Sequence, residues 1–345
     1  MRVDLPAVTA PDLDAHRAAV ARHAELAVPA GALGVLAELG CWLAAVQGTC
    51  PPRPPARPRI VVFAADHGIA QRGVSADAPE VTARRLASAR DNAIPVTVLA
   101  PVAGASVRVL DVGVLDPGDG DERYRVRSGS GPVDVADALT SEETERAVAI
   151  GRRVADEEVD AGADLLVPAA LGVGATTPAA ALVSVLTGAE PVAVVGRGSG
   201  IGDDAWMRKA AAIRDARRRA RPHLRDPLGL LRVAGGADLA VLAGFCAQAA
   251  LRRTPVLLDG VVAGTAALLA EELAPGARAW WRVAQRSPEP AMVLVCEHLG
   301  LIPVLDLGVR LEDGTGAAAL VPLLQMAARL LAETATTGMP AVEPG

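Results

Sequence analysis

Three glycine-rich turns carry most of the chemistry the sequence can offer. Gly172-Val-Gly174-Ala-Thr176-Thr177 stands between a short apolar run and an alanine-rich stretch of helical length. Gly196-Arg-Gly198-Ser-Gly200-Ile-Gly202 follows a second apolar run, and Gly314-Thr-Gly316 opens a third helical stretch. Where a strand passes into a helix through glycine, backbone N–H groups stay unpaired and the helix presents its positive dipole end. Such turns hold phosphates, and the hydroxyls of Thr176 and Thr177 would add donors. Glycine also serves simply to reverse a chain, so one loop decides little; three together favour a phosphate site. Gly200-Ile-Gly202-Asp-Asp-Ala205 fits the spacing of a dinucleotide fingerprint. Asp203 and Asp204 at that helix start would repel a pyrophosphate, which disfavours a nicotinamide dehydrogenase.

One cation stands out from its background. Lysine and arginine together number 34, yet Lys209 is the single lysine. A lone lysine in such a background is a position to watch. The other candidates have plainer readings beside the chemical one. His67, in Asp66-His67-Gly68, could act as a base, but a hydrogen-bonded structural histidine after a strand is the favoured reading. Asp259 suits a strand-end turn as well as a ligand contact. Arg214, Arg217, Arg218, Arg219 and Arg221 could bind an anion, but a solvated helix face is favoured. Cys41, Cys50, Cys246 and Cys296 are scattered without metal-ligand spacing and read as free thiols of a reducing cytosol.

Composition narrows the function classes. Of the 345 residues, 51% are hydrophobic and only 2% aromatic, and the net charge is −6. With so few aromatic faces a base-stacking nucleic-acid platform is disfavoured, and mild acidity argues against a general polyanion binder. Met1-Arg2-Val3-Asp4 opens no apolar leader, and apolar runs are broken before spanning length, so no membrane segment and a cytoplasmic address are expected.

The turns need elements to aim them. Continuous apolar runs at Ile60–Phe63, Pro95–Leu99, Val107–Val112, Leu165–Val167, Val192–Val195, Val256–Leu258 and Pro303–Leu305 read as strands buried on both faces. Thr140-Ser-Glu-Glu143 is a capping box that starts a helix reaching about Ala161. Trp206–Arg221, Ala237–Arg252, Ala263–Leu273 and Ala317–Thr334 read as further helices, as does the alanine-rich stretch after Thr177. Strands alternating with helices predict an α/β fold with a doubly wound parallel sheet. Residues 1–50 read as two helices, Pro11–Leu26 and Ala32–Val46, before a proline-rich linker at Pro51–Pro58. Together with 317–345 they suggest a small helical subdomain built from both chain ends, leaving 51–316 as the α/β domain. The residues after Thr336 read as a frayed tail.

Read in order, several segments resemble the nicotinate-nucleotide:dimethylbenzimidazole phosphoribosyltransferase family of cobamide (B12) assembly. They are Pro29-Ala-Gly-Ala-Leu-Gly34, Val61-Val-Phe-Ala-Ala-Asp-His-Gly68, Gly73-Val-Ser75, the two glycine loops with Lys209, Gly235-Gly236 and Leu257-Leu-Asp-Gly260. Ser287-Pro-Glu-Pro290 and Leu307-Gly-Val-Arg-Leu-Glu-Asp-Gly-Thr-Gly-Ala317 complete the series, which runs from about Pro29 to Leu331. Trp206-Met-Arg-Lys209 and Trp280-Trp281 are similar to the actinobacterial branch. The resemblance implies a parallel Rossmann-like sheet with a small helical domain, in a homodimer, with no metal, nucleic acid or membrane involved. It implies transfer of the 5-phosphoribosyl group from nicotinate mononucleotide to a benzimidazole-type base, with inversion at the anomeric carbon. The products would be nicotinate and an α-ribazole 5′-phosphate. Lys209 then matches the phosphate contact, with Gly172, Gly174, Thr176, Thr177 and Gly198 as loop donors. Asp259 and Ser287 match residues near the ribose, Ser75 lies in the base-binding segment, and Leu311 is a further substrate-binding position.

The chain departs from the family pattern where the chemistry should occur. Arg310-Leu-Glu312-Asp313-Gly314-Thr-Gly316 stands where the common pattern reads Arg-Leu-Gly-Glu-Gly-Thr-Gly. Asp313 takes the position of the catalytic base, one methylene shorter than Glu, and Glu312 is the other candidate for that role. A family Glu falls at Ala170, removing a charge that would oppose a developing ribosyl cation. Arg84, Arg85, Asp91, Asn92, Ala284 and Gln285 are further departures on the acceptor side. Two readings follow from the resemblance: a transferase, with this acceptor or an altered one, or a weakened homologue that binds nucleotide or α-riboside as a sensor or partner subunit.

Overall fold

Six strands form one sheet: β1 (Pro58–Ala65), β2 (Ser106–Gly113), β3 (Leu165–Leu171), β4 (Val256–Leu258), β5 (Trp281–Gln285) and β6 (Pro303–Leu305). Their order is β2-β1-β3-β4-β5-β6 and every pair is parallel. Ile60 is in register with Val107 on one side and Val167 on the other. All of β3 is buried and β1 nearly so, as expected of apolar runs covered on both faces. The computed structural model describes residues 5–116 and 122–337. The leaderless N-terminus and frayed tail expected from sequence lie wholly or almost wholly outside these residues, with only Thr337 of the tail described.

Helices α1 (Leu13–Glu25) and α2 (Val35–Gln47) precede the sheet, and α3 (Val81–Arg90) and α4 (Pro95–Leu99) join β1 to β2. Helix α5 (Ser141–Asp160) joins β2 to β3. Between β3 and β4 come α6 (Thr176–Thr187), α7 (Pro191–Val194), α8 (Asp203–Ala220), α9 (Pro227–Ala234) and α10 (Ala237–Leu251). Then α11 (Gly260–Leu273) and α12 (Pro290–Leu299) flank β5, and α13 (Thr315–Glu333) follows β6. With few aromatics to fill space, Ala, Val and Leu make the core, and Phe63 meets Phe245 edge-on at 5.6 Å.

Helix α13 serves two neighbours. Leu320, Val321 and Leu324 enter the main core, while Leu331 joins Ala19, Cys41 and Ala44 in a small cluster with α1 and α2. By length and composition α13 is the helix among the described residues that could cross a membrane, but 56% of that window is buried in protein.

Two expected strands fold otherwise. Pro95–Leu99 is a helical turn, because Pro95 occupies the first helical position and the Thr97 hydroxyl accepts the Ile94 N–H at 3.1 Å. Pro191 does the same for residues 191–194, so the second glycine loop follows a helical turn rather than a strand. Conversely β5, with its mixed Trp-Arg-Val-Ala-Gln sequence, gives no β-branched run and is missed by the pattern.

Candidate active site

A cavity of about 570 Å³ opens where β3 ends. The strand order runs outward from β1 to β2 on one side and from β3 through β4 to β6 on the other, and ligands of open α/β sheets bind at the carboxyl ends of strands at such a switch point. Ala170 and Leu171 close β3 and line the cavity, and Gly172, Gly174 and Thr176 follow directly. A Cβ on Gly172 would collide with the Ala65 carbonyl, so only glycine lets this turn lie against the end of β1. Gly198, Ser199 and Gly200 form the opposite wall. Ser75 reaches across to it, its hydroxyl 3.0 Å from that of Ser199, which also accepts the Ala76 N–H at 2.9 Å.

Lys209 lies beneath this end, 1% exposed. Its Nζ donates to the Thr176 hydroxyl at 2.9 Å and the Gly196 carbonyl at 3.1 Å. An ammonium has three donors, so one remains, with Glu289 Oε2 3.9 Å away. Burial lowers the lysine's proton affinity, and Glu289 and Glu312 pull it back up. Glu289 also accepts the Gly198 N–H at 2.8 Å, tying the second glycine loop to the start of α12.

The lining also carries acids. Asp313, 7% exposed, accepts the Thr315 N–H through Oδ1 at 3.0 Å and so caps α13. Glu312 accepts the Val261 and Val262 N–H groups at 3.2 and 2.9 Å, in the first turn of α11. Gly260, at φ +81°, makes room for that carboxylate, since a Cβ would overlap it. Burial, reinforced by Asp259 and Glu289, pushes the Glu312 carboxyl up to about 8, against the pull of the two N–H groups. Asp259 is fully buried behind the cavity, accepting from Gln285 Nε2 at 3.1 Å and from the Ala317 N–H at 3.1 Å. Burial pushes it up to about 6.

Ser75, Gly172, Gly174, Thr176, Gly198, Leu311, Glu312 and Asp313 therefore line one cavity, as the sequence reading groups them. Lys209, Thr177, Asp259 and Ser287 form the layer behind it: Thr177 is fully buried, and Ser287 accepts the Glu289 N–H at 3.2 Å. The pattern reading missed Glu289, Arg310 and Asp77 as lining residues, while Arg85, singled out on the acceptor side, does line the cavity. Asp77 and Arg85 pair at 2.8 Å on the acceptor side. Glu289 stands inside the quoted Ser287-Pro-Glu-Pro290 segment, an acid between prolines that could have been singled out. His67 is a buried partner of Asp238, Nε2 to Oδ2 3.0 Å. Arg214, Arg217, Arg218 and Arg219 each pair with a surface carboxylate. All four cysteines are free.

A family model described as Phosphoribosyltransferase matches residues 8–342. The nicotinate-nucleotide–dimethylbenzimidazole phosphoribosyltransferase of Mycobacterium avium is 55% identical over 337 residues, 97% of this chain and 96% of that protein. The protein of the same name from Mycobacterium tuberculosis is 54% identical over 332 residues, 95% of this chain and 92% of its own. The crystal structure of the corresponding Thermus thermophilus protein superposes with a TM-score of 0.88 at 38% identity, covering 94% of this chain and 97% of that one.

Proposed function

The chain belongs to the nicotinate-nucleotide:dimethylbenzimidazole phosphoribosyltransferase family, and from that premise we propose that its cavity moves the 5-phosphoribosyl group of nicotinate mononucleotide onto a benzimidazole-type nitrogen. The observation that carries the reading is one cavity lined by two glycine loops, with Lys209 behind them, and by the carboxylates Glu289, Glu312 and Asp313. The phosphate sits at Gly172–Thr176, against the α6 N-terminus and the third donor of Lys209. The acceptor base lies toward Val74, Ile94, Pro95 and Leu311, a mostly apolar wall suited to a fused aromatic ring.

The chemistry needs alignment and proton removal. The leaving nitrogen already carries positive charge, so cleavage of its bond to C1′ yields neutral pyridine without an acid. The azole must lose its N–H proton, and Asp313 takes it: Oδ1 is fixed by the Thr315 N–H, and Oδ2 has no protein hydrogen bond among the described residues. We assign the protein to a homodimer, on the apolar Ile302, Leu307 and Leu311 exposed on either side of β6 and leading to the site. Its place is the cytoplasm, on the four free thiols.

The test is nicotinate release from nicotinate mononucleotide with dimethylbenzimidazole. Turnover is expected in the wild type, and Asp313→Ala should lower kcat by about 10²–10⁴-fold while nucleotide still binds. Absence of release above background with a panel of azoles and phenols would sink the transferase reading.

A further inference from the structure

The Ala170 N–H donates to the Glu312 carbonyl at 2.8 Å, so these two residues lie side by side on the cavity wall. At 170 the wall offers a methyl group, and at 312, one hydrogen bond away, it offers a carboxylate. We propose that Glu312 is a second catalytic carboxylate, distinct from the proton acceptor Asp313, and that its charge opposes the positive charge developing on the ribosyl carbon. The inference rests on the phosphoribosyl-transfer reading.

The geometry suits that task. The carboxylate is held by two N–H groups of α11, a helix of 14 residues, and each oxygen keeps a further lone pair for the cavity. The groups around it are Asp259 before α11, Glu289 before α12, Lys209 on α8, and Arg310 and Asp313 of its own loop. Burial, reinforced by Asp259 and Glu289, keeps the proton on Glu312 against the two N–H groups and the charge of Lys209. A cationic substrate would reverse that balance and favour the ionised form. In the transfer, the C1′–N bond to nicotinate breaks and its electron pair neutralises the pyridinium nitrogen. The azole lone pair forms the new C1′–N bond, and the azole proton passes to Asp313. Between these events the positive charge rests on C1′ and the ring oxygen, which Glu312 faces.

A carboxylate with this role can be supplied from the neighbouring position on the wall. Glu312→Gln should lower kcat about 100-fold with nucleotide affinity little changed. Adding Ala170→Glu to that variant should restore at least about 10-fold of the loss, which a helix-capping role would not. In the wild type, kcat/KM for nucleotide should climb as pH rises toward 8, and the glutamine variant should lose that limb. Wild-type kcat in Glu312→Gln, or a loss of turnover or of folding that Ala170→Glu leaves unrepaired, overturns the proposal. Failure of the wild type to release nicotinate would instead remove the parent reading.

Discussion

Lys209 shows what a single residue can reveal and what it conceals. Its solitude in an arginine-rich chain is visible in the sequence, but its setting is not: Gly196, Thr176 and Glu289 come from three separate segments. Gly198 lies so close that a Cβ there would sit 3.3 Å from Nζ, leaving no space for a wider head group. A guanidinium has the charge but not the shape. Lys209→Arg is expected to cost about 1–3 kcal/mol in stability through overpacking and to raise KM for the nucleotide about 10-fold or more. Urea unfolding and initial-rate kinetics measure the two effects, and a wild-type KM would remove Lys209 from the phosphate site. Glu289 is the opposite case. Its chief partner, the Gly198 N–H, is 91 residues away, and an acid before a helix reads first as an ordinary cap.

Elements were legible in proportion to how much of their cause is local. The box at Thr140 is wholly local: Thr140 Oγ1 accepts the Glu143 N–H at 3.1 Å, and Glu143 returns a bond to the Thr140 N–H at 2.8 Å. Thr140→Ala should therefore lower unfolding free energy by about 1 kcal/mol and leave nicotinate release unchanged, because α5 touches no cavity residue's hydrogen bonds. A matching loss of activity would show that the helix transmits strain to the site. Strand β5 is the converse. Trp281 is fully buried and Val283 pairs with Pro303, but these partners lie across the sheet, and nothing in Trp-Arg-Val-Ala-Gln announces them. At Pro95 and Pro191 a local proline overrules the β-branched run that follows it, and two apolar segments turn helical. The glycine loops needed only the glycines and threonines to be seen. That they enclose one space depends on β1 and β3 lying adjacent, which a pattern of runs does not specify.

At the scale of the whole molecule the buried acids couple folding to pH in one direction. Glu312 titrates near 8 in the folded chain against an ordinary 4.5, and Asp259 near 6 against 3.8. Between the ordinary and folded values, the native state keeps protons that the unfolded chain has released, so stability falls as pH rises through that interval. His67 adds to the same slope. Burial alone would lower its proton affinity, but Asp238 and Asp66 raise it above the usual value, so its contribution is lost as pH climbs through the folded pKa. Asp215, depressed by Arg214, acts the other way, but only in the acid range below its ordinary 3.8. The ligand-free protein should therefore melt at its highest temperature near about pH 4 and lose stability steadily from there toward pH 8. Scanning calorimetry across that range checks the slope, and a flat or rising profile would contradict it. Glu312→Gln should flatten the part above pH 6. Nucleotide should have the reverse dependence, binding more tightly as pH rises, because the pyridinium charge of the bound nucleotide beside Glu312 expels the proton that the empty site retains. Calorimetric titration in two buffers of different ionisation enthalpy would register that released proton, and its absence would mean that Glu312 does not meet the charge. The same carboxylate would then weaken the empty fold with rising pH while strengthening its complex, so substrate binding restores what ionisation takes away.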